Sequence, residues 1–291
     1  MAIQSKRKKE NILGNFYVDS TCIDCETCRI LAPEIFKKVG NGSIVYFQPT
    51  TNDSIERGLQ ALVACPTYSI GLETMLPELK EIRLSFPKNI ADTVYYNGYH
   101  SEKSYGAASY FIKREKGNIL IDSPRFAMTL VENFKKLGGI DYIFLTHQDD
   151  IADQQKYADY FGAKRILHKD DFTKQLSSVE IPIEGEEIFH LDEDIKIIPV
   201  PGHTEGHCVL LYKDSFLFTG DHLAYSPTKG HLHAFRNACW YSWEKQIDSM
   251  KRLNEFTFES ILPGHGRSFS SDKTTMKSQL SKCIEWMESV K

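Results

Sequence analysis

The chain has 291 residues, 41% of them hydrophobic and 25% charged, enough apolar material for packed cores and against disorder. Its formal net charge of −4 argues against nucleic acid as a partner. No apolar run nears the ~20 residues that span a bilayer, and the N-terminus lacks an apolar leader core, so a cytoplasmic protein without membrane contact is expected.

In chain order, Lys6-Arg7-Lys8-Lys9 comes first, the one basic cluster, and reads as a frayed, solvated tail. Next is Cys22-Ile23-Asp24-Cys25-Glu26-Thr27-Cys28, a C-x2-C-x2-C run, with Cys65-Pro66 as a distant fourth thiolate. Three cysteines at that spacing wrap one face of a cubane, and the fourth closes it from elsewhere in the fold. Zinc more often takes two separate C-x-x-C pairs, and here the third thiol crowds the first loop. Cys22, Cys25, Cys28 and Cys65 are therefore assigned to an iron–sulfur cluster. Cys208, Cys239 and Cys283 are scattered and read as small buried hydrophobes. Residues 67–72 suggest a short closing strand, and Leu76-Pro77-Glu78-Leu79 a connector. A boundary near residue 78 divides the chain into a cluster domain with a basic N-terminal tail, 1–78, and a second domain, 79–291.

Beyond the connector, short apolar runs alternate with turn residues. Residues 107–112 and 118–122 read as a hairpin, and 141–146, 195–200, 208–212 and 215–219 as further strands. Helical periodicity fits 126–137, 151–161, 243–254 and 272–290. Polar residues gather at the strand ends, which suggests a site along one rim.

The cysteine pattern and its surroundings, from about Tyr17 to Leu72, resemble the small bacterial ferredoxins that hold one [4Fe-4S] cluster. Leu31-Ala32-Pro33-Glu34-Ile35-Phe36 and the Cys-Pro followed by a strand belong to that resemblance. It implies one-electron transfer. Acidic residues outnumber basic ones between 10 and 76, a sign that suits docking to a basic redox partner protein.

Four later segments carry metal-type side chains: 145–153 with His147, 201–207 with His203, 219–222 with Asp221, and 262–266 with His265. Their order and wording resemble the metallo-β-lactamase superfamily over roughly residues 80 to 290. The resemblance implies an αββα sandwich, hence an α+β chain overall. It carries metal binding onto His147, His203, Asp221 and His265. The family's first motif, T-H-x-H-x-D-H, is broken: Asp149 stands in the second His place, Ile151 in the Asp place and Ala152 in the last His place. Moving the motif by two residues offers Asp153 as the Asp but then puts Gln154 in the His place.

Two imidazoles and one carboxylate, His147, His203 and Asp221, make a set that suits non-haem iron, and persulfide dioxygenases of the superfamily resemble this arrangement. Asp149 could add an oxygen ligand. The other half-site keeps His265 and a share of Asp221, so one metal is expected, iron or alternatively zinc. Residues 229–243 add His231, His233, Arg236 and aromatics that read as a substrate pocket or as a loop packed under the following helix. Tyr105 and Tyr110 are further rim candidates.

The leading expectation is a redox protein coupling the cluster to a one-metal site, acting on a small-molecule substrate. A metal-dependent hydrolase resembling glyoxalase II, with the cluster structural or sensory, is the first alternative. An electron carrier with an empty sandwich is the second.

Overall fold

The computed structural model describes residues 2–290, and the chain falls into two compact units. One comprises Met1–Asp141 and Ala152–Phe161, the other Tyr142–Ile151 and Gly162–Lys291.

The first unit opens with β1 (Phe16–Val18), α1 (Thr27–Leu31), the hairpin β2 (Phe36–Lys38) and β3 (Ser43–Val45), α2 (Asn52–Ala64) and β4 (Ile70–Leu72). β1 and β4 pair antiparallel, so the ends of the cysteine-bearing segment close on each other. The sequence motifs did not announce α2, yet its start is well specified. Thr51 Oγ1 accepts from the Ser54 amide at 3.2 Å while Ser54 Oγ accepts from the Thr51 amide at 3.1 Å. The helix stops at Cys65 because Pro66 follows. The basic tail is not frayed. Arg7 pairs with Glu73 and lies 5.5 Å from the Tyr17 ring centroid, and the Lys8 amide donates to Val18 O.

The same unit continues through α3 (Leu79–Leu84), β5 (Lys88–Ala91), β6 (Val94–Tyr96), β7 (Tyr110–Ile112) and β8 (Ile119–Ile121), an antiparallel succession. β7 and β8 are the expected hairpin. α4 (Met128–Lys136) and α5 (Gln154–Phe161) complete it, and Phe134 of α4 packs against Phe111, Tyr157 and Phe161.

Within this unit the cysteine loops are held by residues that follow the connector. Tyr105 Oη donates to Ile23 O at 2.6 Å, so Tyr105 serves the cysteine loop. His100 Nδ1 lies 2.6 Å from Gly106 O and 3.1 Å from Thr27 Oγ1. A carbonyl only accepts, so Nδ1 carries the proton and Nε2 accepts from Tyr96 Oη at 2.5 Å. Tyr110 is buried in the sheet.

In the second unit β9 (Tyr142–Phe144), β10 (Lys164–His168) and β11 (Ile181–Ile183) run parallel. A further sheet has the order β12 (Phe189–Asp192), β13 (Ile195–Pro199), β14 (Cys208–Tyr212), β15 (Phe216–Gly220), β18 (Ser260–Pro263), β19 (Phe269–Ser270). β14 is buried along its whole length, as its unbroken apolar run requires. The hairpin β16 (Ala224–Ser226) and β17 (His231–His233), with α6 (Trp243–Leu253) and α7 (Lys273–Ser289), covers a core that includes Ile198, Val209, Leu211, Ile247 and Leu280. Cys208 and Cys283 are fully buried and Cys239 half-buried.

Gly106 sits at φ +86°, where an added Cβ would lie 2.8 Å from Cys25 Cβ and 3.1 Å from its sulfur. Gly106→Ala should cost about 1–3 kcal/mol and lower cluster content. Gly40→Ala, at φ +55° with open space around it, should cost only about 1 kcal/mol and leave the cluster intact. Thermal melts and cluster absorbance per chain on the two variants check this.

Candidate metal centres

The four cysteines of the N-terminal motif line one cavity together with Val18, Ile23, Pro66 and Ile70, and none forms a disulfide. The first loop can bring three thiols to one side because Asp24 and Glu26 adopt left-handed backbone, φ 62° and 68°. Arg29 at 2.8 Å and Lys38 at 2.6 Å hold the Asp24 carboxylate and keep its pKa low against burial. The Ser43 amide points at Cys22 Sγ from 3.4 Å and the Ser69 amide at Cys65 Sγ from 3.3 Å. Such donors suit thiolates. Burial raises the pKa of Cys25, Cys28 and Cys65, so ionised thiols here require a cationic core among them. The donor set fits an iron–sulfur cluster.

The second unit gathers its own site from loops at strand ends. Thr146-His147 follows β9, His203 precedes β14, Asp221 follows β15, and His265 follows β18. Of the sequence-proposed residues, His147, Asp149, His203 and Asp221 converge, and His265 meets them through Asp150. Ligand atoms of His147, Asp149 and His203 lie within 4.8 Å of one another, and so do those of His147, Asp150 and Asp221. Asp149 Oδ2 is 3.6 Å from His203 Nε2 and Asp221 Oδ2 is 3.8 Å from it. Asp150 Oδ1 is 3.9 Å from His265 Nε2. Glycines permit this crowding. A Cβ at Gly264 would come within 2.8 Å of Asp150 Oδ2, and one at Gly220 within 2.5 Å of Thr146 Oγ1.

Sequence reasoning missed Asp150, which lies one position before the motif's Asp place and is buried. The half-site described from sequence as His265 with a share of Asp221 thus gains a second carboxylate. It also missed Asp171, just after β10, which no motif marks. The Asp171 carboxylate accepts from the Gln148 amide (3.0 Å), Thr204 Oγ1 (2.6 Å) and the Gly206 amide (2.8 Å), tying the His147 loop to the His203 loop. His207 is a third such residue. It stacks on His147 with centroids 4.9 Å apart, and its Nε2 accepts from the Asp221 amide at 3.3 Å. Asp153 is engaged elsewhere, by Lys103, Lys156 and the Phe126 amide in the first unit.

Burial holds the pKa of His147 down to about 4, so it is neutral and able to ligate at pH 7. Thr146 Oγ1 lies 2.9 Å from His147 Nδ1, whereas Nε2, both His203 ring nitrogens and Asp221 Oδ1 are buried without a hydrogen-bond partner. Donors left this way on convergent side chains fit a metal ion. Burial lowers His203 as well, but the Asp149 carboxylate 3.6 Å away and the Asp221 charge more than offset it, and its pKa ends above normal. His222 is pushed down to about 3 by burial and by His203, and it belongs to neither group.

Asp149 is half exposed and opens the site to solvent. Trp240 stands there with 66% exposure, 6.2 Å from the His203 ring. The rest of the 229–243 stretch divides between packing and surface. Arg236 stacks on Trp243, while His231 and His233 pack near Trp286.

Residues 88–284 match the family described as the metallo-beta-lactamase superfamily. The chain belongs to that superfamily. Residues 18–72 match the 4Fe-4S single cluster domain of ferredoxin I. A hydroxyacylglutathione hydrolase of Wigglesworthia glossinidia brevipalpis is 32% identical over 139 residues, 47% of this chain and 53% of that protein. The chain thus spans about half the length of that relative. A probable metallo-hydrolase of Methanocaldococcus jannaschii is 30% identical over 202 residues, 58% of this chain and 90% of that protein. The solved DIM-1 metallo-beta-lactamase has a TM-score of 0.55 at 15% identity, covering 70% of this chain and 96% of that one. A metallo-beta-lactamase from Pontibacter korlensis has a TM-score of 0.52 at 16% identity, covering 69% and 97%. These likenesses show the fold. The ferredoxin match supports an iron–sulfur cluster, and the lactamase fold implies a further metal. Among the described residues no helix is long and apolar enough to cross a membrane.

Asp171→Ala should strip three donors of their acceptor, cost about 2–4 kcal/mol and weaken the second unit's metal about 10–100-fold, as metal analysis and melting would read. Metal binding at His203 displaces a proton. Apparent affinity should therefore rise about tenfold per pH unit up to the raised pKa of His203 and level off above it. A metal titration across pH that shows no such break contradicts the assignment of His203.

Proposed function

We propose that the protein is a metal-dependent oxidoreductase in which the [4Fe-4S] module exchanges electrons with one iron in the second unit. His147, Asp149, His203 and Asp221 would hold that iron, with a redox protein as electron partner and a small molecule as substrate. One observation carries the reading. His100, Tyr105, Gly106 and Arg125, all inside the lactamase-type match, grip the cysteine loops by hydrogen bonds of 2.6–3.1 Å and close packing. Hydrolysis moves no electrons and gives the cluster no redox task.

The donors support iron as well. Four carboxylate-rich donors, two His and two Asp, are harder than an all-imidazole zinc set. A bound iron would supply one-electron chemistry at the open side of the site. Thr146 orients His147, His207 fixes the Asp221 backbone, and Asp171 holds the loops in register. The half-exposed Asp149 and the exposed Trp240 mark the side from which substrate enters.

The names of the two curated relatives favour a second reading, a metal-dependent hydrolase using a metal-activated water. Metal content separates the two. Anaerobic protein should carry one iron per chain beyond the four of the cluster; zinc in its place would favour the hydrolase. His147→Ala and Asp221→Ala should each lose that metal, and His265→Ala should retain it. The reduced cluster should be reoxidised by oxygen or a persulfide more slowly in Asp221→Ala than in wild type, and equal rates would rule out coupling.

A further inference from the structure

We infer that the cluster's negative charge is the counter-ion of Arg125, and that Arg125 sets the cluster's reduction potential. Arg125 lies in the segment between β8 and α4 and points into the cysteine module. Its guanidinium donates to Val63 O at 2.5 Å, Cys65 O at 3.1 Å and His100 O at 2.6 Å. The rings of Tyr68 and Tyr99 flank it, with centroids 4.5 and 5.1 Å away. Each of these partners is neutral. Among the described residues Arg125 makes no ion pair, although Arg7, Arg29 and Arg57 of the same unit all have carboxylate partners.

A cation withdrawn from water without a counter-charge is costly, and the cost falls if an anion lies beside it. Four ionised thiolates around iron and sulfide carry net negative charge, and one of those thiolates is Cys65, whose own carbonyl Arg125 binds. The negative end of α2 offers a rival account, because Val63 and Cys65 are its last carbonyls and an arginine there is a favourable helix end. The two accounts differ in what they predict for electrons. A fixed cation beside the cluster stabilises the reduced state, which carries one more negative charge. If the helix end is all that Arg125 serves, its charge is screened from the cluster and removing it changes stability without moving the potential. The step is a single electron passing from a reductant such as dithionite to the cluster, with no bond made or broken.

This inference rests on the cluster and is independent of the reaction proposed for the second unit, so the two fail separately. The experiment is a mediated redox titration of the full anaerobic protein, with iron and sulfide content measured on each sample. Arg125→Lys keeps the charge but cannot span three carbonyls, and Arg125→Gln removes the charge. We expect Arg125→Gln to shift the midpoint to more negative potential, or to load little cluster, while Arg125→Lys loads fully and titrates near wild type. The inference is overturned if Arg125→Gln titrates like wild type. It is equally overturned if Arg125→Lys shifts as far as Arg125→Gln, or loses cluster to the same extent, since shape and not charge would then be decisive.

Discussion

Three hydrogen bonds to one buried carboxylate hold the second unit's site together. Asp171 sits where the loop after β9 meets the loop before β14 and receives a donor from each, with a third from Gly206. Burial raises its pKa, and those donors work against the rise. Remove this tie and the His147 and His203 loops lose three hydrogen bonds that fix them against one carboxylate, leaving the backbone bond from the Cys208 amide to Thr146 O to join them. The glycines beside it have the same logic. Gly206 approaches Asp171 so closely that an added Cβ would lie 2.7 Å from the Asp171 amide nitrogen. Metal ligands on loops need such a frame, since loops alone leave side chains free to drift.

The first unit solves a parallel problem with other means. Its thiols are brought together by left-handed residues inside the cysteine loop, and the loop is then clasped from outside by His100, Tyr105 and Arg125. A ferredoxin module of this size buries little core by itself. Here the lactamase-type chain supplies part of its surroundings, and Gly106 lets the backbone pass against Cys25 without collision. The module and the strands after it therefore form one compact unit by contact, whichever residue is taken as the boundary between them.

Much of this was legible in the sequence, because the residues concerned announce their chemistry. The C-x2-C-x2-C run with a distant Cys-Pro has few uses, and histidines and aspartates beside glycines at strand ends read as a rim. Helices at 243–254 and 272–290 were visible because their apolar residues recur at helical spacing, and the structure has them at Trp243–Leu253 and Lys273–Ser289, capped by Ser242 and Asp272. Other features were hidden for physical reasons. α2 lies between the cysteines, and Gly58, Ala61 and Ala64, which carry little hydrophobic signal, share its buried residues with Leu59 and Val63. Asp171 acts through two backbone amides and the Thr204 hydroxyl, all remote from it in sequence, so residue spacing leaves no mark of it. Asp150 was overlooked because the family pattern placed attention one residue later, on Ile151. Arg7 was taken for part of a solvated tail since its partners, Glu73 and Tyr17, are remote in sequence or of ordinary type.

The broken motif has a chemical direction. Where the family's pattern has a second imidazole, this chain has Asp149, and where the pattern continues with an aspartate and a histidine it has Ile151 and Ala152, with Asp150 turned toward His265 instead. The net change replaces nitrogen donors by oxygen donors while His147, His203, Asp221 and His265 stay. Extra carboxylates raise the local negative charge, which makes the site harder to keep without a cation and shifts preference toward harder metals. The cysteine cavity obeys the same rule with sulfur, since its buried thiols ionise only against a positive core. Both units thus concentrate anionic donors that the bare polypeptide stabilises poorly, so metal loading contributes to the stability of each.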